Sequence, residues 1–155
     1  MIKYCTGDIL KAETKAIVIP VNCVGIMGRG LAKQFKEKYS EAYSVYRRRC
    51  DDKVLGPGGL IAIGVHRGPP SGGPGPYDNL LAIMLATKNH WRQPSKLEWI
   101  IEGMKNLNEY IEKTKLESVA LPKVGCGHGG LSWLTVRPIV FAAIGLTKCE
   151  VHLYE

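Results

Sequence analysis

Residues 16–30 have the sequence A-I-V-I-P-V-N-C-V-G-I-M-G-R-G, which indicates the class of fold more clearly than any other segment. Its apolar first half is typical of a strand buried on both faces, and a glycine-rich loop follows at Asn22. Pro20 lacks a backbone N–H and therefore fits a strand end, an edge or a bulge, so we expect the strand to be irregular just before Asn22. Residues 31–39 have helical spacing, so this loop leads from a strand into a helix.

A second glycine-rich loop, G-C-G-H-G-G, occupies residues 125–130 and follows the apolar residues 119–121. We call residues 22–30 the first glycine loop and residues 125–130 the second glycine loop. Glycine lets backbone N–H groups approach phosphate oxygens, and helix N-termini favour anions, so the pair predicts a cleft that binds a diphosphate. The alternative is that the glycines only permit tight turns. Neither loop has the spacing of a P-loop or of G-x-G-x-x-G, which disfavours ordinary NTPases and dehydrogenases.

The rest of the chain alternates strands with helices. Ser40 is expected to cap one helix, and Ser95 with Glu98 to form a capping box for another, whose apolar face includes Ile101. Because proline is tolerated in a first turn, Pro138 predicts that the last helix begins after Thr135. Strands are predicted at 2–5, 16–22, 60–66, 80–86, 119–121 and 151–154, and helices at 31–39, 40–50, 97–114 and from about 136.

This order predicts one α/β domain over residues 1–155, with a mixed, largely parallel central sheet between two helical layers. Of the 24 residues in 56–79, 13 are Gly or Pro. We interpret this segment as a long hairpin connection within the domain, since strands are predicted on both sides of it. Ligands of such a fold gather at the carboxyl ends of the strands.

Composition excludes several classes of protein. The chain has 155 residues, 45% of them apolar and 23% charged, which excludes disordered and fibrous architectures. Its apolar runs are far shorter than the roughly 18–20 residues that cross a bilayer, and residues 1–5 do not resemble a secretory signal, so we expect a cytoplasmic protein without a membrane contact. Five cysteines without a C-x-x-C pair predict reduced thiols and no zinc site.

A net charge of +7 favours a polyanionic partner, and part of that charge is concentrated near residue 90. His90, Trp91 and Arg92 lie between Lys88 and Lys96, which combines phosphate-pairing cations with an aromatic ring for base stacking. This pattern suits single-stranded nucleic acid. The alternative is that Trp91 plugs the edge of the core and the cations are simply solvated.

The chain resembles a macrodomain, the ADP-ribose-binding fold, over essentially its whole length. Within that family it is most similar to the macrodomain antitoxins that remove ADP-ribose from thymidine in DNA, and the group that clears ADP-ribose from glutamate side chains is a near second. The motifs that carry the resemblance are G-D-I at 7–9, N-C-V-G-I-M-G-R-G-L-A-K-Q-F-K at 22–36, T-K-N-H-W-R-Q-P-S-K-L at 87–97 and G-C-G-H-G-G-L-S-W at 125–133.

The resemblance implies a role for each matching residue. Asp8 would bind the adenine amine beside Ile9, although a carboxylate at this position also fits a helix cap. Lys88 would be the central catalytic group, with Asn22 facing the distal ribose, and His90, Trp91 and Arg92 would contact nucleic acid. The expected ADP-ribose contacts are Gly7, Asp8, Ile9, Gly25, Ile26, Met27, Gly28, Gly30, Leu31, Thr87, Gly125, Cys126, Gly127, Gly129, Gly130 and Leu131.

One residue departs from the pattern of the glutamate-directed group. That group has an aspartate after the G-C-G, where this chain has His128. An imidazole can do the same acid–base work at neutral pH, so His128 is the third expected catalytic residue, or else it is an exposed loop residue.

The resemblance implies an ADP-ribosyl glycohydrolase that uses neither a cofactor nor a metal and has ADP-ribose as ligand and product. The expected partners are ADP-ribosylated DNA and a toxin, and the expected oligomeric state is a monomer. Two other functions stay open, namely hydrolysis of ADP-ribose from protein side chains or small derivatives, and binding of ADP-ribose without turnover.

Overall fold

Strand β2, Ala16–Val21, lies in the interior of a central sheet in the computed structural model, which describes residues 1–67 and 79–155. The other strands are β1 Ile2–Cys5, β3 Leu60–His66, β4 Asn79–Ala86, β5 Ser118–Pro122 and β6 Glu150–Tyr154. The helices are α1 Gly30–Lys38, α2 Ser40–Asp51, α3 Leu97–Thr114 and α4 Trp133–Ile144, with a short 3-10 helix at Ile9–Lys11.

The six strands form one sheet in the order β1-β6-β5-β2-β4-β3. The first five strands in this order, β1-β6-β5-β2-β4, are parallel to their neighbours. The edge strand β3 is antiparallel to β4. The predicted α/β class with a mixed, largely parallel sheet is therefore confirmed. The antiparallel pairing of β3 and β4 also confirms the hairpin, and residues 68–78 of its connection lie outside the described residues.

Side chains along β2 point alternately to the two faces of the sheet, and each face is covered by a different pair of helices. Ile17 and Ile19 belong to the apolar cluster that α1 and α2 cover, and Ala16 and Val18 belong to the cluster that α3 and α4 cover. All four side chains are at most 1% exposed. Burying a side chain as large as isoleucine contributes about 1.5–3 kcal/mol, so the residues that suggested a strand also fix both faces of the sheet.

Pro20 interrupts the sheet less than its sequence suggested. β2 stays in register with β4 through Pro20 and Val21, so the expected irregularity before Asn22 is wrong. The carbonyls of Lys15 and Val21 accept hydrogen bonds from the β4 segment, so the nitrogen of Pro20 faces β5. Since β5 pairs with β2 only as far as Ile17, the missing N–H falls where no ladder bond is needed.

Helix α3 has the predicted bounds but not the predicted N-cap. Lys96 is its N-cap and makes no side-chain cap bond, so the capping box of Ser95 and Glu98 is wrong. Ser95 instead packs against the second glycine loop, where its N–H donates to the carbonyl of Gly129 at 2.9 Å. Ile101, expected on the apolar face, is 52% exposed.

Helices α2 and α4 also differ from the prediction at their N-termini. Tyr39, and not Ser40, occupies the N-cap of α2. Helix α4 begins at Trp133 and contains Pro138 in its interior, so the prediction of a start after Thr135 is wrong. The donor that Pro138 lacks would serve the carbonyl of Leu134, and Leu134 is 85% exposed, so solvent can satisfy that group. Within residues 1–67 and 79–155, no helix has the length and apolar content that a bilayer span needs.

Candidate active site

A cleft of about 1300 Å³ opens where the parallel strands end. The segments after β1, β2, β4, β5 and β6 all contribute to its wall, which is the position expected for a ligand of an α/β sheet. The predicted site residues that line it are Gly7, Ile9, Asn22, Ile26, Gly28, Gly30, Leu31, Thr87, Lys88, Trp91, Arg92, Gly125, Cys126, Gly127, His128, Gly129 and Leu131.

Asn22 holds the first glycine loop in its shape. Its side-chain Oδ1 accepts hydrogen bonds from the N–H groups of Val24 (3.1 Å) and Ile26 (3.3 Å). Its Nδ2 donates to the carbonyl of Ile26 at 2.7 Å. The amide is therefore committed to the loop backbone, and a role toward a distal ribose stays a prediction.

Five predicted site residues lie outside the cleft wall. Met27 is 2% exposed and packs in the core under the first glycine loop. Gly25 is buried against α2. Asp8 caps the 3-10 helix, since the N–H of Leu10 donates to its Oδ1 at 2.9 Å, so the cap interpretation of this carboxylate is confirmed. The other two are Gly130 and His90.

The two glycine loops meet across the cleft. A Cβ built on Gly30 would lie 3.7 Å from Cδ2 and 3.8 Å from Nε2 of His128, so the imidazole of the second loop borders the start of α1. His128 is exposed and lines the cleft. The histidine can therefore reach a group held between the loops, which is the geometry that acid–base work requires.

Lys88 projects from the turn that follows β4. Its Nζ donates to the carbonyl of Trp91 at 3.4 Å, and the carbonyl of Lys88 itself accepts a weak bond from the Sγ of Cys23. Burial lowers the pKa of Lys88 below its ordinary value, and the positive charge of Arg29 lowers it further. Both effects enlarge the neutral, nucleophilic fraction of the amine.

Trp91 and Arg92 form an exposed stacked pair on the cleft wall. Trp91 is 40% exposed, so the alternative in which it plugs the core edge is wrong. The guanidinium of Arg92 lies 4.6 Å from the centre of the Trp91 ring. His90 also stacks on Trp91, with 5.6 Å between the ring centroids, and its Nδ1 accepts from the N–H of Arg92. This arrangement offers a flat ring and a cation to a ligand in the cleft.

Sequence reasoning missed several residues of the wall. Arg29 stands between two loop glycines, and this position was a usable signal. Tyr154 is the last residue of β6 and Glu155 follows it, so the rule that sites gather at strand ends could have found them. Trp133 donates from Nε1 to Oε1 of Glu155 at 3.3 Å and lines the same end. The remaining missed residues are Pro20, Val21, Ala32, Gln93, Pro94, Pro122 and Lys123.

The loop cysteines are poor nucleophiles. Burial raises the pKa of Cys23 to about 11, and burial also raises the pKa of Cys126. A thiol with a raised pKa is mostly protonated at neutral pH, so both serve as small packing groups. Across the described segments, no group of three or more His, Cys, Asp or Glu side chains has a metal-binding arrangement.

Comparison with known proteins places this cleft in a family. The DNA ADP-ribosyl glycohydrolase of Mycobacterium tuberculosis is 39% identical over 145 residues, which is 92% of this chain and 38% of the relative. The protein of that name from Thermus aquaticus is 36% identical over 100% of this chain and 41% of the relative. The chain thus spans about two fifths of the length of these curated relatives.

Solved structures agree with this assignment. The macrodomain of Mycobacterium tuberculosis DarG has a TM-score of 0.88 and 36% identity, over 99% of this chain and 97% of the other. Thermosipho africanus DarTG, solved in complex with ADP-ribose, has a TM-score of 0.84 and 28% identity, over 96% of this chain and 39% of the other. The family model of the Macro domain matches residues 18–140. The chain therefore belongs to the Macro domain family.

Proposed function

We propose that this chain binds ADP-ribose and hydrolyses the bond between ADP-ribose and thymidine in single-stranded DNA. The observation that carries the proposal is Lys88, a partly buried lysine that lines the cleft beside the exposed Trp91–Arg92 pair. The relatives named DNA ADP-ribosyl glycohydrolase support the choice of reaction.

The two glycine loops would hold the diphosphate. Residues of both loops line the cleft, and the start of α1 adds the favourable field of a helix N-terminus. Gly7 and Ile9 would border the adenine. Asp8 lies between them in the chain but does not line the cleft, so its carboxylate would have to turn toward the adenine amine. Thr87 and Leu131 would complete the contacts. Support for this ligand also comes from the relative solved with ADP-ribose.

Lys88 would act on the distal ribose. A neutral amine next to C1″ can attack that carbon or stabilise an opened sugar while the bond from C1″ to the nucleobase breaks. Water then supplies hydroxide to C1″, and the nucleobase leaves with a proton. His128, at the mouth of the cleft, would move that proton. The proposal assigns no cofactor, since the overall reaction adds only water.

Trp91 and Arg92 would bind the DNA that carries the modification. The Trp91 ring offers a stacking surface to an unpaired base, and Arg92 can pair with a phosphate beside it. The net charge of +7 supports a polyanionic substrate. We extend the proposal to a toxin partner, a DNA-modifying transferase whose product this domain removes. One relative is a fusion of a DNA ADP-ribosyl transferase with a DNA ADP-ribosyl glycohydrolase.

The experiment compares two substrates under the same conditions, an ADP-ribosylated single-stranded oligonucleotide and a protein ADP-ribosylated on glutamate. We expect release of ADP-ribose from the oligonucleotide and slower release from the protein. An oligonucleotide that stays intact would contradict the proposal, and a faster reaction on the protein would select the glutamate-directed activity.

A second candidate is a module that binds ADP-ribose without turnover. The presence of His128 in place of the aspartate of the glutamate-directed group favours it. Tight binding of ADP-ribose by calorimetry, with no product from either linked substrate, would select this function.

A further inference from the structure

Helix α2 lies outside the cleft, yet one of its faces supports the first glycine loop. That face consists of Tyr43, Tyr46, Arg47 and Cys50, and we call these residues the α2 platform. Their spacing of three, four and seven residues places them on one side of a helix. Among the described residues that line the cleft, none belongs to α2. The platform can therefore affect a ligand only through the loop that it supports.

Tyr46 is the centre of this contact. Its side chain is completely buried, and its hydroxyl lies 2.7 Å from the carbonyl oxygen of Asn22 and 3.0 Å from Oδ1 of the same residue. The hydroxyl donates its one proton to these two acceptors. Asn22 Oδ1 in turn accepts from the N–H groups of Val24 and Ile26. Tyr46 thus holds the side-chain amide that organises the loop.

A second contact fixes the middle of the same loop. The hydroxyl of Tyr43 donates to the carbonyl of Gly25 at 2.9 Å. Gly25 has a φ of +84°. A Cβ at this position would lie 3.5 Å from Cα of Arg47 and 3.6 Å from Cβ of Cys50. The loop backbone therefore rests directly on the helix, in a conformation that favours glycine.

Burial keeps the Tyr46 hydroxyl in its donor form. Burial is the largest cause that raises the pKa of Tyr46, and neighbouring Cys50 raises it further. The phenol therefore stays protonated at neutral pH and can donate to Asn22.

We infer that Tyr46, supported by Tyr43, is a positioning residue that sets the shape of the first glycine loop for its ligand. The inference rests on the proposed function only in taking that ligand to be ADP-ribose. A loop without regular secondary structure has few bonds to orient its N–H groups, and these groups must converge to meet a phosphate. Loss of the Tyr46 hydroxyl removes the hydrogen bonds that tie Asn22 to α2, so the orientation of the loop is less tightly held.

The competing explanation is that Tyr46 only fills the core. Tyr46→Phe separates the two explanations because it keeps the ring and removes the hydroxyl. The chain offers a matched control in Tyr39, a buried tyrosine at the N-cap of α2. Its hydroxyl has no hydrogen-bond partner within residues 1–67 and 79–155. Tyr39→Phe therefore removes the same atom from the same region without a bond to the loop.

The experiment measures two quantities for wild type, Tyr46→Phe, Tyr43→Phe and Tyr39→Phe, at a temperature where all four are folded. Calorimetry gives the affinity for ADP-ribose, and NMR gives the amide hydrogen-exchange rates of Val24 and Ile26. We expect Tyr46→Phe to bind ADP-ribose about tenfold more weakly, since it removes the hydroxyl that donates from α2 to Asn22, and to exchange faster at both amides. Tyr43→Phe should show a smaller change, and Tyr39→Phe none.

The inference is overturned if Tyr46→Phe retains wild-type affinity and exchange rates, or if Tyr39→Phe loses as much. Neither readout uses the DNA substrate, so a wild type that cannot cleave the oligonucleotide would defeat the proposed function and leave this inference standing. If wild type cleaves the oligonucleotide and Tyr46→Phe has wild-type affinity and exchange rates, the proposed function stands and this inference is overturned. The exchange rates need no ligand and decide the role of Tyr46 even without ADP-ribose.

Discussion

The Nζ of Lys88 and the carbonyl oxygen of Trp91 are joined by a hydrogen bond of 3.4 Å, which fixes the amine at the cleft wall within a single turn of chain. The bond uses the backbone of Trp91 and leaves its ring exposed. One short segment after β4 thus carries both the proposed catalytic amine and the proposed base-stacking surface.

Replacing Trp91 by alanine should weaken binding of the DNA substrate without weakening binding of free ADP-ribose. The substitution removes the ring and keeps the carbonyl that holds Lys88. Since stacking on an aromatic ring contributes about 1–3 kcal/mol per base, we expect binding of the ADP-ribosylated oligonucleotide to weaken by about ten- to a hundredfold. Affinity for free ADP-ribose should stay unchanged by calorimetry. Equal losses for the two ligands would show that the ring contacts ADP-ribose itself.

The rate should depend on pH through Lys88, and Arg29 should shift that dependence. Burial and the charge of Arg29 both lower the pKa of Lys88, so the neutral amine appears at lower pH than for a free lysine. Arg29→Met removes one of these causes and raises the pKa. The rising limb of kcat/KM against pH should then move to higher pH.

Arg29→Lys is the control for this experiment, because it keeps the positive charge and should leave the limb where it is. An unchanged limb in Arg29→Met would mean that Lys88 does not titrate in the rate-limiting chemistry.

Gly129→Ala should destabilise the second glycine loop. A Cβ there would collide with the carbonyl oxygen of Gly125 and lie 2.5 Å from Oγ of Ser95, so the backbone has to move. We expect a loss of about 1–3 kcal/mol in the free energy of unfolding, measured with urea. Gly127→Ala is the matched control, since a Cβ on Gly127 would meet nothing within 4 Å. Similar losses in both variants would disprove the tight contact.

Ser95→Ala should not destabilise the protein. The Oγ of Ser95 is buried and has no hydrogen-bond partner within the described residues, so its removal relieves an unpaired polar group. We expect an unfolding free energy equal to or above that of wild type. If a capping box were present, the same change would cost about 1 kcal/mol, so a loss of that size would restore the sequence-based prediction.

Local patterns in the sequence predicted much of the fold. Apolar runs and glycine loops predicted the strand–loop–helix unit at residues 16–30, because burial and turn geometry act within a few residues. The capping box failed for a physical reason. Ser95 is bonded to Gly129, which is 34 positions away in the chain, and that tertiary contact overrides the local motif.

Site residues were predictable from the sequence only where a local motif or a strand end marks them. The glycine loops were found from strand ends, and Lys88 was found from the resemblance of residues 87–97 to a family motif. The proximity of Arg29 to Lys88 depends on the pairing of β2 with β4, and no local pattern contains the order of strands in a sheet. The same limit hid the α2 platform, whose tyrosines look like ordinary core residues in the sequence. The cytoplasmic location and the monomeric state stay predictions.

Lys88 is the group that we propose breaks the bond between ADP-ribose and DNA. The most direct test of this role is the single-turnover rate of ADP-ribose release from an ADP-ribosylated single-stranded oligonucleotide, for wild type and for Lys88→Ala. We predict that Lys88→Ala loses about 10²–10⁴-fold in this rate, the range of a positioned catalytic group, while calorimetry shows that it still binds ADP-ribose. A Lys88→Ala variant that binds ADP-ribose and releases it at the wild-type rate would contradict the account.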